Sequence, residues 1–568
     1  MRLPSPALAV AVVAAVTSLA LVAGCQVDAA DVVRPGPSSA APKGVSDESQ
    51  PVSVSLAAPV ATCLNAPAGW SRRESLQHGS SDLRPRAVKP WTVPVVGYLD
   101  SFTAVCGQTM SVHLSSQDGD TRVRLRALRI GYYRGQGTRL VWQSGAITAH
   151  RQRQAVPTGP DRVIAERWPV AATIPVDANW PPGMYVIEIV PLTAAQPSFI
   201  PLVVRTSGAR SPYLVVVRAV AWWCYNTAGG GGPYSGPGGG RARRGATRSY
   251  VASADRPVAG NGLAQMFSMN VPLIRFLSRN GFASDVTTDS SLDATPSQFG
   301  GQQTVLIGGH SEYWTKRMYD AAARARDAGT NFGFLGANEV YWQGRIERDK
   351  NGREIALTVY RDSKLDLKAA ADPSTTTVQW RHAPLLRDPG ALVGEGMSLV
   401  GVRGPYVVSS TPPWLFTGTK LKAGDVLKLA IGNEGDAQEP PTRNSPANEQ
   451  VVLRGVVFPT GQSTPFLITA GYYTAPSGAG IFAAGTTYWV CELDSTCQGV
   501  STPPATSAAV QRITLNLVRS FAAARAGRLH PSVGTPYVSA SQLVGSLPPG
   551  GPGESSESQH LKDPRLQK

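Results

Sequence analysis

The chain has 568 residues, too many for one ordinary domain, and two or more folded units are expected. Hydrophobic residues make up 42% and charged residues 16%, which excludes wholesale disorder and argues against a coiled coil, while Gly 58 and Pro 46 without a period exclude collagen and point to a β-rich, loop-rich protein. Lys+Arg 54 against Asp+Glu 39 gives a net charge of +15, but the arginines are scattered, which argues against nucleic-acid binding.

Arg2 precedes an apolar run over 7–22, followed by small residues. This is the order of a secretory signal peptide, expected over 1–24, and the run is too short and Ala-rich for a membrane span. Leu21-Val22-Ala23-Gly24-Cys25 resembles a bacterial lipobox, which implies cleavage before Cys25 and a lipid on its sulfur. The expected location is therefore the cell membrane, lipid-anchored, on the extracytoplasmic side of a bacterial envelope. Residues 25–85 read as a disordered linker with Pro35, Pro37, Ser38, Ser39 and Pro42 and no period. Residues 531–568 read as a disordered tail.

Export places the other cysteines in an oxidising compartment. Cys491 and Cys497 close a short loop, Cys63 and Cys106 are the other plausible pair, and Cys224 is left over, expected to be buried behind Trp222 and Trp223. The absence of a CxxC motif argues against a structural zinc site.

Residues 86–206 carry alternating runs such as Thr109-Met110-Ser111-Val112-His113-Leu114 and Tyr185-Val186-Ile187-Glu188-Ile189, split by turn signals. They predict a β-sandwich of the immunoglobulin-like kind with a structural or docking role. Over 207–530 the pattern changes. Continuous apolar strands at 213–217, 304–307 and 331–335 alternate with helices expected at 263–279, 312–327 and 508–526. The overall expectation is α/β plus all-β, the larger unit a three-layer α/β domain with a mostly parallel sheet.

In such sheets ligands sit beyond the carboxyl ends of the strands. Three polar clusters occupy those places. They are Cys224-Tyr225-Asn226 with the glycine loop Gly229 to Gly232, then His310-Ser311-Glu312-Tyr313-Trp314, then Asn338-Glu339-Val340-Tyr341-Trp342. A Tyr-Trp pair follows two successive strands. The glycine loop lacks the spacing of either phosphate-binding fingerprint.

These pieces, with Asp255-Arg256-Pro257, Gly432-Asn433-Glu434-Gly435-Asp436 and Phe482-Ala483-Ala484-Gly485-Thr486-Thr487-Tyr488-Trp489, resemble the N,N-dimethylformamidase large (beta) subunit-like family over 221–526. The resemblance implies hydrolysis of an amide C–N bond in a small linear amide, at one ferric ion held by two tyrosinates and a glutamate. It maps Tyr313, Tyr341 and Glu434 onto the metal ligands, with His310, Glu312, Asn226, Asn338 and Glu339 as proton-transfer or supporting residues. Hard oxygen anions suit a hard, highly charged cation. Two other readings stay open: a serine-type hydrolase using Ser311 at the strand-to-helix turn, and a non-catalytic surface lipoprotein that binds an envelope partner. An oligomer is compatible with all three.

Overall fold

A computed structural model describes residues 60–80, 83, 93–206, 211–234, 248–263, 269–440, 445–459, 462–497 and 500–545. Cys25, the leader and most of the expected linker lie outside the described residues. The ordered chain nevertheless begins earlier than residue 86. Trp70 is buried in a short helix, Trp70–Glu74, and Cys63 is disulfide-bonded to Cys106. Glu74 is buried with Arg139 Nη2 at 2.7 Å and accepts a hydrogen bond from the Tyr133 hydroxyl.

The first unit consists of β1 (Val95–Leu99), β2 (Thr103–Ala104), β3 (Gln108–Ser116), β4 (Thr121–Tyr133), β5 (Gln136–Ala149), β6 (Val170–Val176), β7 (Gly183–Pro191) and β8 (Ser198–Val204). They form two sheets, ordered β1-β3-β6 and β2-β8-β7-β4-β5, antiparallel apart from the β2–β8 pair. The expected alternation is present. Val123, Leu125, Ile187 and Ile189 share a core with Val112 and Leu114 of the other sheet. The opposite face is not free. Leu128, Ile130, Val186 and Val203 belong to a second core that also contains Val215, Val217, Trp222, Leu273 and Phe276. The β-unit and the α/β unit are therefore built on one shared interior, which is why β7 is buried on both faces.

The α/β unit contains β9 (Tyr213–Val217), β10 (Val251–Ser253), β11 (Ser284–Thr288), β12 (Thr304–His310), β13 (Tyr313–Trp314), β14 (Asn331–Ala337), β15 (Trp342–Gln343), β16 (Arg345–Arg348), β17 (Glu354–Thr358), β18 (Glu395–Val408), β19 (Val426–Gln438), β20 (Gln450–Val457), β21 (Phe466–Thr474) and β22 (Gly480–Ala483). Nine of these make one sheet, ordered β11-β9-β12-β14-β22-β21-β20-β18-β19. The run from β11 to β22 is parallel, as expected from its continuous apolar strands; the other four strands join antiparallel. The sheet is thus mixed rather than mostly parallel. Alternate residues of the parallel strands enter different cores. Val215 and Leu306 pack on the side of the helices Val271–Arg279 and Pro504–Ala523, Val216 and Ile307 on the side of the helix Lys316–Asp327.

Three boundaries differ from expectation. The expected helix over 263–279 is described as a helix only from Val271, with Pro272 in its first turn, and residues 264–268 lie outside the described residues. The helix expected from residue 312 begins at Lys316, because Glu312 is held in loop geometry and Tyr313–Trp314 pair as β13 with β15. Thr315, not Ser311, is the N-cap, accepting from Met318 N and donating to buried Asp293 at 2.6 Å. Thr315→Ala is expected to cost about 1–2 kcal/mol, measured by urea unfolding, since it removes a cap and a hydrogen bond together. The last long helix ends at Ala523, ahead of a separate turn, Ala526–Leu529.

The expected disordered tail also has an ordered part. Thr535 N donates to Glu449 O at 2.7 Å, Gln438 Nε2 donates to Thr535 O, and a short helix spans Ala540–Gly545. Both expected disulfides are present, and Cys224 is a free, buried thiol. Among the described residues no helix is long and apolar enough to cross a membrane.

Candidate active site

The carboxyl ends of β9, β12 and β14 lie side by side, since these strands are neighbours in the sheet. His310 is the last residue of β12, and the segment after it is tied to the segment after β14. Val340 N donates to Ser311 O at 2.7 Å; Tyr341 N and Trp342 N both donate to Glu312 O. Parallel pairing of Tyr313 with Trp342 continues the tie. The repeated Tyr-Trp signal in the sequence is this two-stranded ribbon. Asn338 and Val340 take left-handed backbone conformations, φ 57° and 54°, a strained choice for a β-branched valine. The turn is held by Asp436, whose carboxylate accepts from Asn338 N at 2.8 Å and Glu339 N at 3.2 Å.

Asp436 and Glu434 come from β19, an edge strand of the sheet order. Register shifts in the β18–β19 ladder bend it, and a bridge between Gly435 and Thr486 lays its second half beside the segment after β22. Gly432 lies where a Cβ would strike the Tyr488 ring. The Gly432-Asn433-Glu434-Gly435-Asp436 motif is thus a close-packed bend that delivers two acids to the site.

Four aromatic and acidic side chains form its centre. The Tyr225 hydroxyl donates to Glu312 Oε2 at 2.7 Å, and the Tyr234 hydroxyl donates to Glu312 Oε1. Tyr313 donates to the Tyr234 hydroxyl oxygen at 2.5 Å, and Arg361 Nη2 donates to the Tyr313 hydroxyl oxygen. Arg361 also lies over the Tyr234 ring at 3.9 Å. Burial pushes all three phenols well above the usual tyrosine range; Arg361 opposes this at Tyr234 and Tyr313. On the other side His310 Nε2 is 2.7 Å from Glu434 Oε2, 3.1 Å from Asn338 Nδ2 and 3.8 Å from Glu312 Oε2. Burial alone would raise Glu434 and lower His310, but their mutual attraction wins, holding the carboxyl below and the imidazole above their ordinary values.

The expected residues divide as follows. His310, Glu312, Tyr313, Asn338 and Glu434 meet in one buried cluster. Tyr341 is partly buried, its ring against Trp342; burial raises its phenol, and Glu312 is its first electrostatic neighbour, with Glu434 further down the order. Glu339 is buried without a hydrogen bond to either carboxylate oxygen. Asn226 has a backbone role instead of the expected proton-transfer role. Its amide donates to Pro257 O and accepts from Ala228 N and Ala259 N, pinning the glycine loop. That loop wraps buried Arg256, which donates to the carbonyls of Ala228, Gly231 and Trp223, so the loop's polar groups face a guanidinium. Ser311 Oγ accepts from Trp314 Nε1 at 2.9 Å, and among the described residues no histidine bonds it, which removes the arrangement a serine nucleophile needs.

Tyr225, Tyr234, Arg361 and Arg218 are site residues that the sequence reading did not single out. Tyr225 stood in a noted motif, and Tyr234 closes the glycine loop. Arg361 had no local signal, being carried in from the segment after β17 with φ 59°.

A family model described as N,N-dimethylformamidase beta subunit-like, C-terminal, matches residues 124–501. The chain belongs to that family. The match covers about two thirds of the 568 residues and starts inside β4, so this N,N-dimethylformamidase beta subunit-like chain carries the family pattern in both units, upstream of residue 221 where the sequence likeness begins. No curated protein matches the chain.

Proposed function

We propose that this chain hydrolyses the C–N bond of a linear amide at the cluster around Glu312, with Tyr313, Tyr341 and Glu434 holding one ferric ion. The observation that carries the reading is the Tyr225–Glu312–Tyr234–Tyr313 network beside the His310–Glu434 pair, in a member of this family. The donors fit such an ion. They are hard oxygens, and five buried acids, Asp289, Glu312, Glu339, Glu434 and Asp436, face only Arg218, Arg361 and His310 among the described groups named as their near neighbours. Arg361 against the Tyr313 oxygen marks a place where positive charge is favoured. The ion, when bound, supplies Lewis-acid polarisation of a carbonyl and a lowered water pKa.

The chain's own residues do the rest. Tyr225 and Tyr234 hold both oxygens of Glu312, fixing the carboxylate as acceptor for a proton from the attacking water. His310, kept in its charged form by Glu434, donates a proton to the departing nitrogen. Burial of the cluster excludes bulk water and strengthens each of these interactions. The paired sheets of the first unit we read as an immunoglobulin-like sandwich that buttresses the site, and the two faces of the large sheet as a three-layer arrangement. The leader and Cys25 we read as a lipid anchor on the outer side of a bacterial envelope, a reading supported by two disulfides.

Incubation of the purified protein, reconstituted with ferric iron, with small amides should release amine. Absence of turnover on formamides and acetamides at millimolar concentration, with iron bound, would refute the hydrolase reading.

A further inference from the structure

Arg218 follows β9 directly and is 1% exposed, yet its Nε, Nη1 and Nη2 all lack a hydrogen-bond partner. Glu339 follows β14, is equally buried, and both its carboxylate oxygens lack one too. Each is the other's first-named electrostatic partner, but they make no ion pair. An unpaired buried charge costs several kcal/mol in general, so two that face each other without touching require something between them.

The strands explain the gap. β12 lies between β9 and β14, which sets the two backbones roughly 10 Å apart. Glu339 rests on the glycine pair Gly309 and Gly336, where a Cβ on Gly336 would strike both Gly309 O and Glu339 Oε1. The nearby acid Asp289 cannot fill the gap, since its oxygens accept from Val220 N and Ser290 N. The Ser311 hydroxyl lies toward Glu339 but already accepts from Trp314. The occupant must accept from a guanidinium at one end and donate to a carboxylate at the other. A second ion of either sign would satisfy one end and repel the other. A neutral amide with an N–H satisfies both.

We propose that Arg218 and Glu339 form an amide clamp beside the Glu312 cluster, Arg218 donating to the carbonyl oxygen and Glu339 accepting an amide N–H. The substrates are then primary or N-monosubstituted amides, and fully N-substituted ones are poor ligands. This rests on the amide-hydrolase reading above, and the test separates the two.

Binding of acetamide, N-methylacetamide and N,N-dimethylacetamide to the purified full chain is followed by saturation-transfer NMR, and turnover of the same three is measured in parallel. The clamp predicts that the two N–H amides bind at least tenfold more tightly than the third. Arg218→Met and Glu339→Leu should each erase that preference, and Glu339→Gln, which keeps the shape, should weaken it if the larger changes misfold. Preference without turnover upholds the clamp and refutes the hydrolase reading. Turnover of all three without preference does the reverse. Equal binding of the three, or binding of none because water alone fills the gap, overturns the clamp.

Discussion

Glu312→Gln is expected to lower amide turnover by about 10²–10⁴-fold while leaving the fold intact. The carboxylate accepts from Tyr225 at one oxygen and Tyr234 at the other. A glutamine has the same shape but only one acceptor oxygen, and its NH₂ faces a hydroxyl that must turn to accept. It also has no affinity for the proton of an attacking water. Loss of rate with an unchanged urea-unfolding midpoint would match a proton acceptor. Loss of rate together with a large drop in the midpoint would make Glu312 a structural centre of the tyrosine network instead.

The second large effect concerns pH. Asp289 is buried at the start of the helix Asp289–Ala294, and burial pushes its carboxyl up to about 7 from an ordinary 3.8, with Val220 N–H and Arg218 opposing the rise. A carboxyl whose folded value is raised binds its proton more tightly when folded, so its contribution is fully present below pH 3.8. That contribution is lost as pH climbs through 7. Three units at about 1.4 kcal/mol each give a decline of roughly 4 kcal/mol between pH 4 and pH 7. Asp289→Asn removes the titration and should flatten the curve over that window, read from urea unfolding at a series of pH values. An unchanged slope in the variant would show that Asp289 does not stay protonated in the fold.

The parallel half of the sheet was legible because β9, β12 and β14 are buried on both faces and read as unbroken apolar runs. Their carboxyl ends then pointed to His310, Glu312, Tyr313 and Asn338 without further information. The antiparallel half was not legible to the same degree. β18 and β19 are long and broken by register shifts, so no single period describes them, and the bend that brings Glu434 to His310 depends on Gly432 and Gly435 fitting under Tyr488 and Ile468. The start of the helix Lys316–Asp327 was misplaced because two hydroxyl residues, Ser311 and Thr315, compete for the cap; tertiary pairing of β13 with β15 decides between them. Tyr234 and Arg361 reach the site from distant segments, and neither carries a local pattern that marks it. Asn226 was overread, since an asparagine beside a glycine loop is as well suited to pinning backbone as to moving protons.

The central claim is that the Glu312 cluster holds a hard cation through Tyr313. Its most direct test is titration of the purified protein with ferric iron, followed by visible absorption and metal analysis, beside Tyr313→Phe. The account predicts a phenolate-to-iron charge-transfer band and about one iron per chain in the parent protein, with most of both lost in Tyr313→Phe and little change in stability, since only the hydroxyl contacts with Tyr234 and Arg361 are removed. The same band and the same iron content in Tyr313→Phe, or no band in either protein, would contradict it.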